Sequence, residues 1–413
     1  MWKSSTSENV VARLLQPHTV DEFASEYYER KPLYIARDDP SYYTDYFSLA
    51  ALEEVLYGGE IPAQSVNIFR DGIPARVESF TRKSMRINSN KALKTDAEVI
   101  DPDRVSALFA HGCSVVLDRV QTYSPSVRNL CRGIEWFFGH KVSTNLYLTP
   151  AGNQGFAAHY DTHDTLLLQV EGSKHWKIYG AGFDLPIDDD PRFFHNKKTT
   201  KKGEALFEIE FRPGDLLYLP RGFMHEGTAN EKLSMHLTIG LYPAKWSDIL
   251  GQTLADGIFE EAVLRAAIAT NDPPDFSSPE ISQALARVFS PDKLSRSASL
   301  LAQRFTTERS NNLAGQMRQL ARLGELCEES TVAIRDHMLY EVEVTEAGTK
   351  VSFSGKGIVL GSEAAPIIRD LEQSASVRVG SLMRHGDKAL DVVRRLIQEG
   401  FLVQATFTHR GDS

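Results

Sequence analysis

His159 and Asp161 flank a single residue, Tyr160, and His225 follows roughly sixty residues later. Side chains two apart on an extended strand point to the same side, so this imidazole and this carboxylate can reach one ion together. His225, just beyond the apolar run Leu216-Leu217-Tyr218-Leu219, can supply a third ligand from a neighbouring strand. Two imidazole nitrogens and one carboxylate oxygen on one face of an octahedral ion leave three positions open. Such a site lets non-haem Fe(II) take up dioxygen and a chelating co-substrate. Zinc accepts similar donors but has no redox chemistry with which to use the open positions.

The elements that must carry these residues read as follows. Short β-rich runs separated by Gly, Pro and Asn/Asp begin near residue 111: Ser114 to Val120, Ser143 to Thr149, Thr165 to Val170, His175 to Tyr179, Ala205 to Phe211, Asp215 to Leu219 and Lys232 to Tyr242. Many short strands with tight turns predict an all-β sandwich or barrel. Glu171-Gly172-Ser173 predicts a hairpin turn, and Arg212-Pro213-Gly214-Asp215 another. Before this region lie helical patterns at Thr19 to Phe23, Ser48 to Leu56, Ser106 to Phe109 and Pro125 to Phe138, with a short strand at Pro32 to Ala36. After it, Trp246 to Thr270 predicts one long helix with Ile249, Leu250, Leu254, Ile258 and Val263 on its apolar face. Ser278 to Phe289 and Pro291 to Leu323 predict two more. A hairpin (Tyr340 to Val344, Lys350 to Phe353), three short helices and a strand at Phe401 to Val403 close the chain, an order that fits a winged helix.

The text around the candidate ligands is Gly155-Phe156-Ala157-Ala158-His159-Tyr160-Asp161, then Leu166-Leu167-Leu168-Gln169-Val170-Glu171-Gly172-Ser173-Lys174-His175-Trp176. Later comes Pro213-Gly214-Asp215-Leu216-Leu217-Tyr218-Leu219-Pro220-Arg221-Gly222-Phe223-Met224-His225-Glu226. Here the chain resembles the JmjC-type 2-oxoglutarate oxygenases, and among them the ribosomal oxygenases, over nearly its whole length. The resemblance implies a mainly β catalytic domain, a double-stranded β-helix of the cupin type, with a helical N-terminal elaboration over residues 1–245. It further implies an α-helical dimerisation domain over 246–339 and a winged-helix-like domain over 340–413. It implies His159, Asp161 and His225 as iron ligands, Lys174 as the cation for the far carboxylate of 2-oxoglutarate, and Asn145 and Tyr147 lining the co-substrate and substrate pocket. Asn145 and Tyr147 also share a strand face by spacing, and Thr238 is a weaker candidate for a pocket hydroxyl. His236 shares the face of Thr238, either beside the site or as a core histidine. His163 is placed near the site, His175 outward, and His195 in a loop.

By the same resemblance the activity is Fe(II)-, 2-oxoglutarate- and dioxygen-dependent hydroxylation of an Arg or His side chain at its β-carbon in a protein or peptide. Two alternatives stand beside it: a tailoring hydroxylase of a peptide natural product, and a non-catalytic, ligand-responsive cupin and winged-helix regulator. An N-demethylase is chemically accessible, but no chromatin-reading module or zinc cluster supports it. The 413 residues carry 46 Lys and Arg against 55 Asp and Glu, a net charge of −9, which argues against coating nucleic acid and suits a basic protein target. The C-terminal basic residues are interleaved with Asp387, Asp391 and Glu399, which favours protein docking over nucleic-acid reading. Three scattered cysteines indicate no disulfide framework, and neither a secretory leader nor a membrane-spanning run is present, so a cytoplasmic protein, expected as a homodimer, is the reading. No P-loop, dinucleotide fingerprint or nucleophile elbow occurs.

Overall fold

The structure is a computed structural model describing residues 10–88, 91–154, 157–188, 203–268, 279–309 and 313–404. The chain divides into two compact units, one of residues 1–137 and 141–242, the other of 138–140 and 243–413.

The first unit holds thirteen strands among its described residues: β1 Leu33–Ile35, β2 Val66–Arg70, β3 Ile73–Pro74, β4 Thr81–Asn88, β5 Lys91–Ile100, β6 Ser114–Leu117, β7 Lys141–Thr149, β8 Asp164–Glu171, β9 Lys174–Ala181, β10 Ala205–Phe211, β11 Leu216–Leu219, β12 Phe223–Ala229 and β13 Ser234–Tyr242. Eight form one sheet in the order β1-β11-β8-β13-β7-β6-β2-β3, three form a second in the order β10-β9-β12, and β4 and β5 make a separate ribbon. All paired neighbours run antiparallel. Leu167, Leu217 and Leu219 of the large sheet pack with Trp176, Ile178, Ile209 and Phe211 of the small one. At about 1.5–3 kcal/mol for each fully buried large side chain, this cluster alone is a major hold between the sheets.

Local chemistry explains the turns. Gly172-Ser173 is the two-residue link between β8 and β9, and Gly172 has φ 59°. A Cβ there would stand 1.7 Å from the Leu233 carbonyl oxygen, so glycine is obligatory. The turn into β11 is fixed by buried Asp215, whose carboxylate accepts hydrogen bonds from the backbone N–H of Arg212 (2.9 Å) and Arg37 (2.7 Å) and from the Tyr34 hydroxyl (2.9 Å). The helix Pro125–Phe138 buries Val127, Leu130, Cys131, Ile134 and Phe137, as its spacing predicts. Thr19 and Ser48 cap the helices that follow them through their side-chain oxygens.

The short strand predicted at Pro32 to Ala36 is β1, which joins one edge of the large sheet, whereas β2 and β3, at the other edge, lie where the sequence reading placed no strand. Val66-Asn67-Ile68-Phe69-Arg70 is too short a run to separate strand from loop by pattern alone.

In the second unit the predicted helix Trp246 to Thr270 ends at Glu260, because Glu261 turns to extended backbone (φ −108°, ψ 102°). Thr270 lies outside the described residues. Its inward positions are Thr253 and Gly257 rather than Leu250 and Leu254, which are exposed. Gly257 is small enough for Val288 of the helix Pro279–Val288 to sit on its backbone. The predicted helix Pro291 to Leu323 is Pro291–Glu308 and, after Gly315 in left-handed conformation, Gln316–Ala321. The C-terminal hairpin is a three-stranded sheet, Glu341–Thr345, Gly348–Phe353 and Lys356–Leu360. The second of the three short helices that the sequence predicts after the hairpin, Val377 to Met383, starts as a strand, Val377–Arg378, and becomes helical at Val379–Leu382. A strand at Thr331–Ile334, N-terminal to residue 340, pairs with Val377–Arg378 and with Leu402–Gln404. No helix among the described residues is long and apolar enough to cross a membrane.

Candidate metal centre

His225 follows β11 and lies within β12, a strand that the sequence reading did not name, and His159 lies outside any regular strand. The two face each other across an isolated antiparallel bridge: the His159 N–H donates to the His225 carbonyl (3.1 Å) and the His225 N–H to the His159 carbonyl (2.8 Å). A third bond, from Gly222 N–H to the Asp161 carbonyl (2.9 Å), holds the other end of the His-x-Asp segment. Gly222 has φ 88°, and a Cβ there would meet the Phe183 carbonyl at 1.9 Å. The ligand positions are set by main-chain bonds to β12 and its turn, which the strand-face argument did not contain.

The side chains converge. The imidazole centroids are 4.4 Å apart. Nε2 of His159 stands 3.9 Å from one Asp161 carboxylate oxygen, and Nε2 of His225 stands 3.7 Å from the other. One donor atom from each residue lies within 4.8 Å of the others. Bonds of about 2.1 Å to an octahedral ion would put adjacent donors about 3 Å apart, so closure on a metal needs movements below 1 Å. Each ring is already in the ligating tautomer. Nδ1–H of His159 donates to the Ala157 carbonyl (2.9 Å) and that of His225 to the Phe223 carbonyl (3.0 Å), which turns the Nε2 lone pairs inward. Burial, with His159 adding to it, pushes the His225 imidazole down to about 4, so it is neutral at pH 7. This donor set fits a divalent transition ion.

A cavity adjoins the triad. Large-sheet residues Tyr147, Thr165, Leu167, His236 and Thr238 line one side; Lys174, Trp176, His225 and Gly227 of the small sheet line the other. Lys174 begins β9 as expected and is 4% exposed. Its ammonium donates only a long bond to the Thr149 hydroxyl (3.4 Å) and lies 5.2 Å over the Trp176 ring. Among the described residues no carboxylate pairs with it, and burial lowers it to about 8. A buried cation without a counter-ion costs several kcal/mol, a cost that a bound anion would offset.

His236, 2% exposed, stacks on Tyr147 (5.0 Å between centroids, 5° between planes) and meets Trp176 edge-on at 5.7 Å. It is not a hydrogen-bonded core histidine: Nδ1 has no partner among the described residues. Burial, then Lys174, drives its pKa well below the usual value. Thr238 lines the cavity, whereas Asn145, its register partner on β7, is not among the lining residues. The Asn145 side-chain Oδ1 accepts the backbone N–H of Arg119 (3.0 Å), a residue in left-handed conformation. His175 faces away, bonded to Glu208 and Glu210 (2.9 and 2.8 Å). His195 lies outside the described residues. Sequence reasoning missed Trp176, Thr165, Leu167 and Gly227. Trp176 was within reach, since it stands two residues beyond Lys174 and so shares its face.

Comparison with known proteins adds the family. The model of the JmjC domain matches residues 117–249, a span that holds all three ligands and Lys174. The chain carries a JmjC domain. A mosquito (Culex quinquefasciatus) protein named bifunctional lysine-specific demethylase and histidyl-hydroxylase NO66 is 32% identical over 265 residues, 62% of this chain and 38% of its own length. Ribosomal oxygenase 1 of Gallus gallus is 33% identical over 58% of this chain and 38% of its own, and ribosomal oxygenase 2 of Mus musculus 30% over 63% and 53%. The chain therefore spans about two fifths to one half of these relatives. Among solved structures, the Escherichia coli ribosomal oxygenase YcfD, in complex with cobalt and succinic acid, superposes with a TM-score of 0.51 at 14% identity. That match covers 93% of this chain and 98% of YcfD, and it shows likeness of fold. The mainly β, cupin-type architecture around the JmjC domain is thus shared.

Proposed function

We propose that this protein is an Fe(II)- and 2-oxoglutarate-dependent hydroxylase of an amino-acid side chain, the β-carbon of Arg or His, in a protein or peptide. The observation that carries the reading is the convergence of His159 Nε2, His225 Nε2 and the Asp161 carboxylate beside a buried lysine with no carboxylate partner among the described residues. Iron bound by that triad, with 2-oxoglutarate and dioxygen, supplies the oxidising power: one oxygen atom goes to the substrate C–H and the other to succinate, with release of carbon dioxide.

The chain's residues perform the rest. Lys174, with the Thr149 hydroxyl, pairs the distal carboxylate of the co-substrate, and Thr238 offers a hydroxyl to the same cavity. Trp176, Leu167 and Tyr147 form the apolar walls that keep water from the reacting groups. The Nδ1–H bonds of His159 and His225 hold both rings in place, so neither ligand must reorient when the ion arrives.

The same reading makes the helical segment a dimerisation element, since Trp246, Leu250, Leu254 and Phe259 of one helix are exposed. The sheet and helices after residue 340 are read as a winged-helix-like docking module. Cys113, Cys131 and Cys327 form no disulfide, which suits a reducing, cytoplasmic setting.

The test is succinate formation with Fe(II), 2-oxoglutarate and air, together with intact-mass analysis of candidate basic proteins and peptides. A gain of one oxygen atom, lost in His159→Ala, supports the reading. Co-substrate turnover that survives His159→Ala refutes it.

A further inference from the structure

Two residues beyond the Asp161 ligand, the Cδ2–Nε2 edge of the His163 ring occupies the space where Gly240 on β13 lacks a side chain. A Cβ at Gly240 would come within 2.7 Å of His163 Cδ2 and 2.9 Å of its Nε2. The same ring stacks on Tyr242 at 4.7 Å between centroids, 23° between planes. Gly240 occupies the next inward position of β13 after Thr238, and its register partner on β8 is Thr165; both neighbours line the cavity beside the triad. A glycine inside a strand marks a place where another group approaches closely. Here that group is an imidazole whose ring nitrogens have no hydrogen-bond partner among the described residues. A half-buried histidine kept in this pose for structure alone would be expected to bond through one nitrogen.

We propose that His163, seated on Gly240 and stacked on Tyr242, is a substrate-binding residue, and that the slot beside these two rings takes a cationic side chain. The charge follows from the surroundings. The Tyr242 hydroxyl is pushed up to about 12 chiefly by burial, then by the carboxylates of Asp161, Asp188 and Asp118. Asp188 accepts a hydrogen bond from Thr162, next to His163, and Asp118 accepts one from the Asn67 amide (2.6 Å). With the Asp161 charge taken up by the metal, flat rings beside the carboxylates of Asp188 and Asp118 favour a guanidinium or ammonium group over a neutral side chain.

This rests on the hydroxylase reading, and one experiment separates the two. The protein is loaded with Mn(II) and 2-oxoglutarate under nitrogen. It is then titrated with labelled pentapeptides that differ only in a central Arg, Lys, His or norleucine. The expected result is preference for Arg or Lys, with both His163→Ala and Gly240→Ala weakening that binding about tenfold, as for a cation leaving an aromatic face. The double variant binds about as weakly as His163→Ala alone, because the added methyl acts chiefly by displacing the His163 ring, its next contact being Tyr242 Cε2 at 3.0 Å. Equal binding of all four peptides, preference for His, or effects of the two substitutions that multiply overturns the inference. Failure of the wild-type protein to bind 2-oxoglutarate in the same samples overturns the hydroxylase reading itself.

Discussion

Replacing Lys174 by methionine should stabilise the ligand-free protein while abolishing its response to 2-oxoglutarate. The lysine is 4% exposed, is without a carboxylate partner among the described residues, and is lowered from 10.5 to about 8 by burial. At about 1.36 kcal/mol per unit, the charged form costs about 3 kcal/mol at pH 7. Its pKa is lower in the folded state than in the unfolded one, so between about 8 and 10.5 the unfolded chain binds more protons. The wild-type protein should therefore gain stability as pH rises through that window, and Lys174→Met should not. Methionine fills a similar volume without the charge, so the ligand-free variant should melt several degrees higher at neutral pH, at about 2–4 °C per kcal/mol for a unit of this size. The same change removes the partner of the co-substrate's far carboxylate. Losing one member of a buried charge pair costs about 3–5 kcal/mol, or about two to three and a half orders of magnitude in affinity. Thermal melts with Mn(II), with and without 2-oxoglutarate, read both effects. A variant that melts lower than wild type when ligand-free, yet is still stabilised by 2-oxoglutarate, would refute the reasoning.

Asp161→Ala should weaken Mn(II) or Co(II) binding by at least about a hundredfold in calorimetry, with the circular dichroism spectrum unchanged, since the backbone bridge between His159 and His225 does not involve the carboxylate. Buried Asp164, raised from 3.8 to about 6 chiefly by desolvation, favours its protonated form in the folded state. It contributes up to about 3 kcal/mol below pH 4, and that contribution fades as pH rises through 6. Urea denaturation across pH 4–7 should show this slope, and Asp164→Asn should flatten it. Gly172→Ala should cost at least about 2 kcal/mol by denaturant melts, because φ 59° and contact at 1.7 Å with the Leu233 carbonyl leave no room for a methyl.

What the sequence made legible was the chemistry more than its support. The short β-rich runs between turn residues located β7 to β11 and β13 to within about two residues, and Lys174 falls at a strand start because Gly172 marks the turn. The ligands were found by type and spacing, yet the bridge that joins His159 to His225 is non-local and leaves no periodic trace. Asn145 shared the correct strand face with Tyr147, but the left-handed turn at Arg119, far off in sequence, claims its side-chain oxygen. In the second unit Leu250 and Leu254 fit a helical stripe, whereas packing placed Thr253 and Gly257 inside. Side-chain size at the helix contact decided that, and hydropathy does not record it.

Because the amides and carbonyls of His159 and His225 bond to each other, the two nitrogen ligands are held face to face by the polypeptide itself. A zinc finger folds only when its ion arrives; this centre is assembled beforehand. Chelation should leave a barrel that still unfolds in a single cooperative step. Iron, manganese or cobalt should then load in turn without refolding, so availability in the surrounding solution, and not the shape of the chain, selects which ion is held.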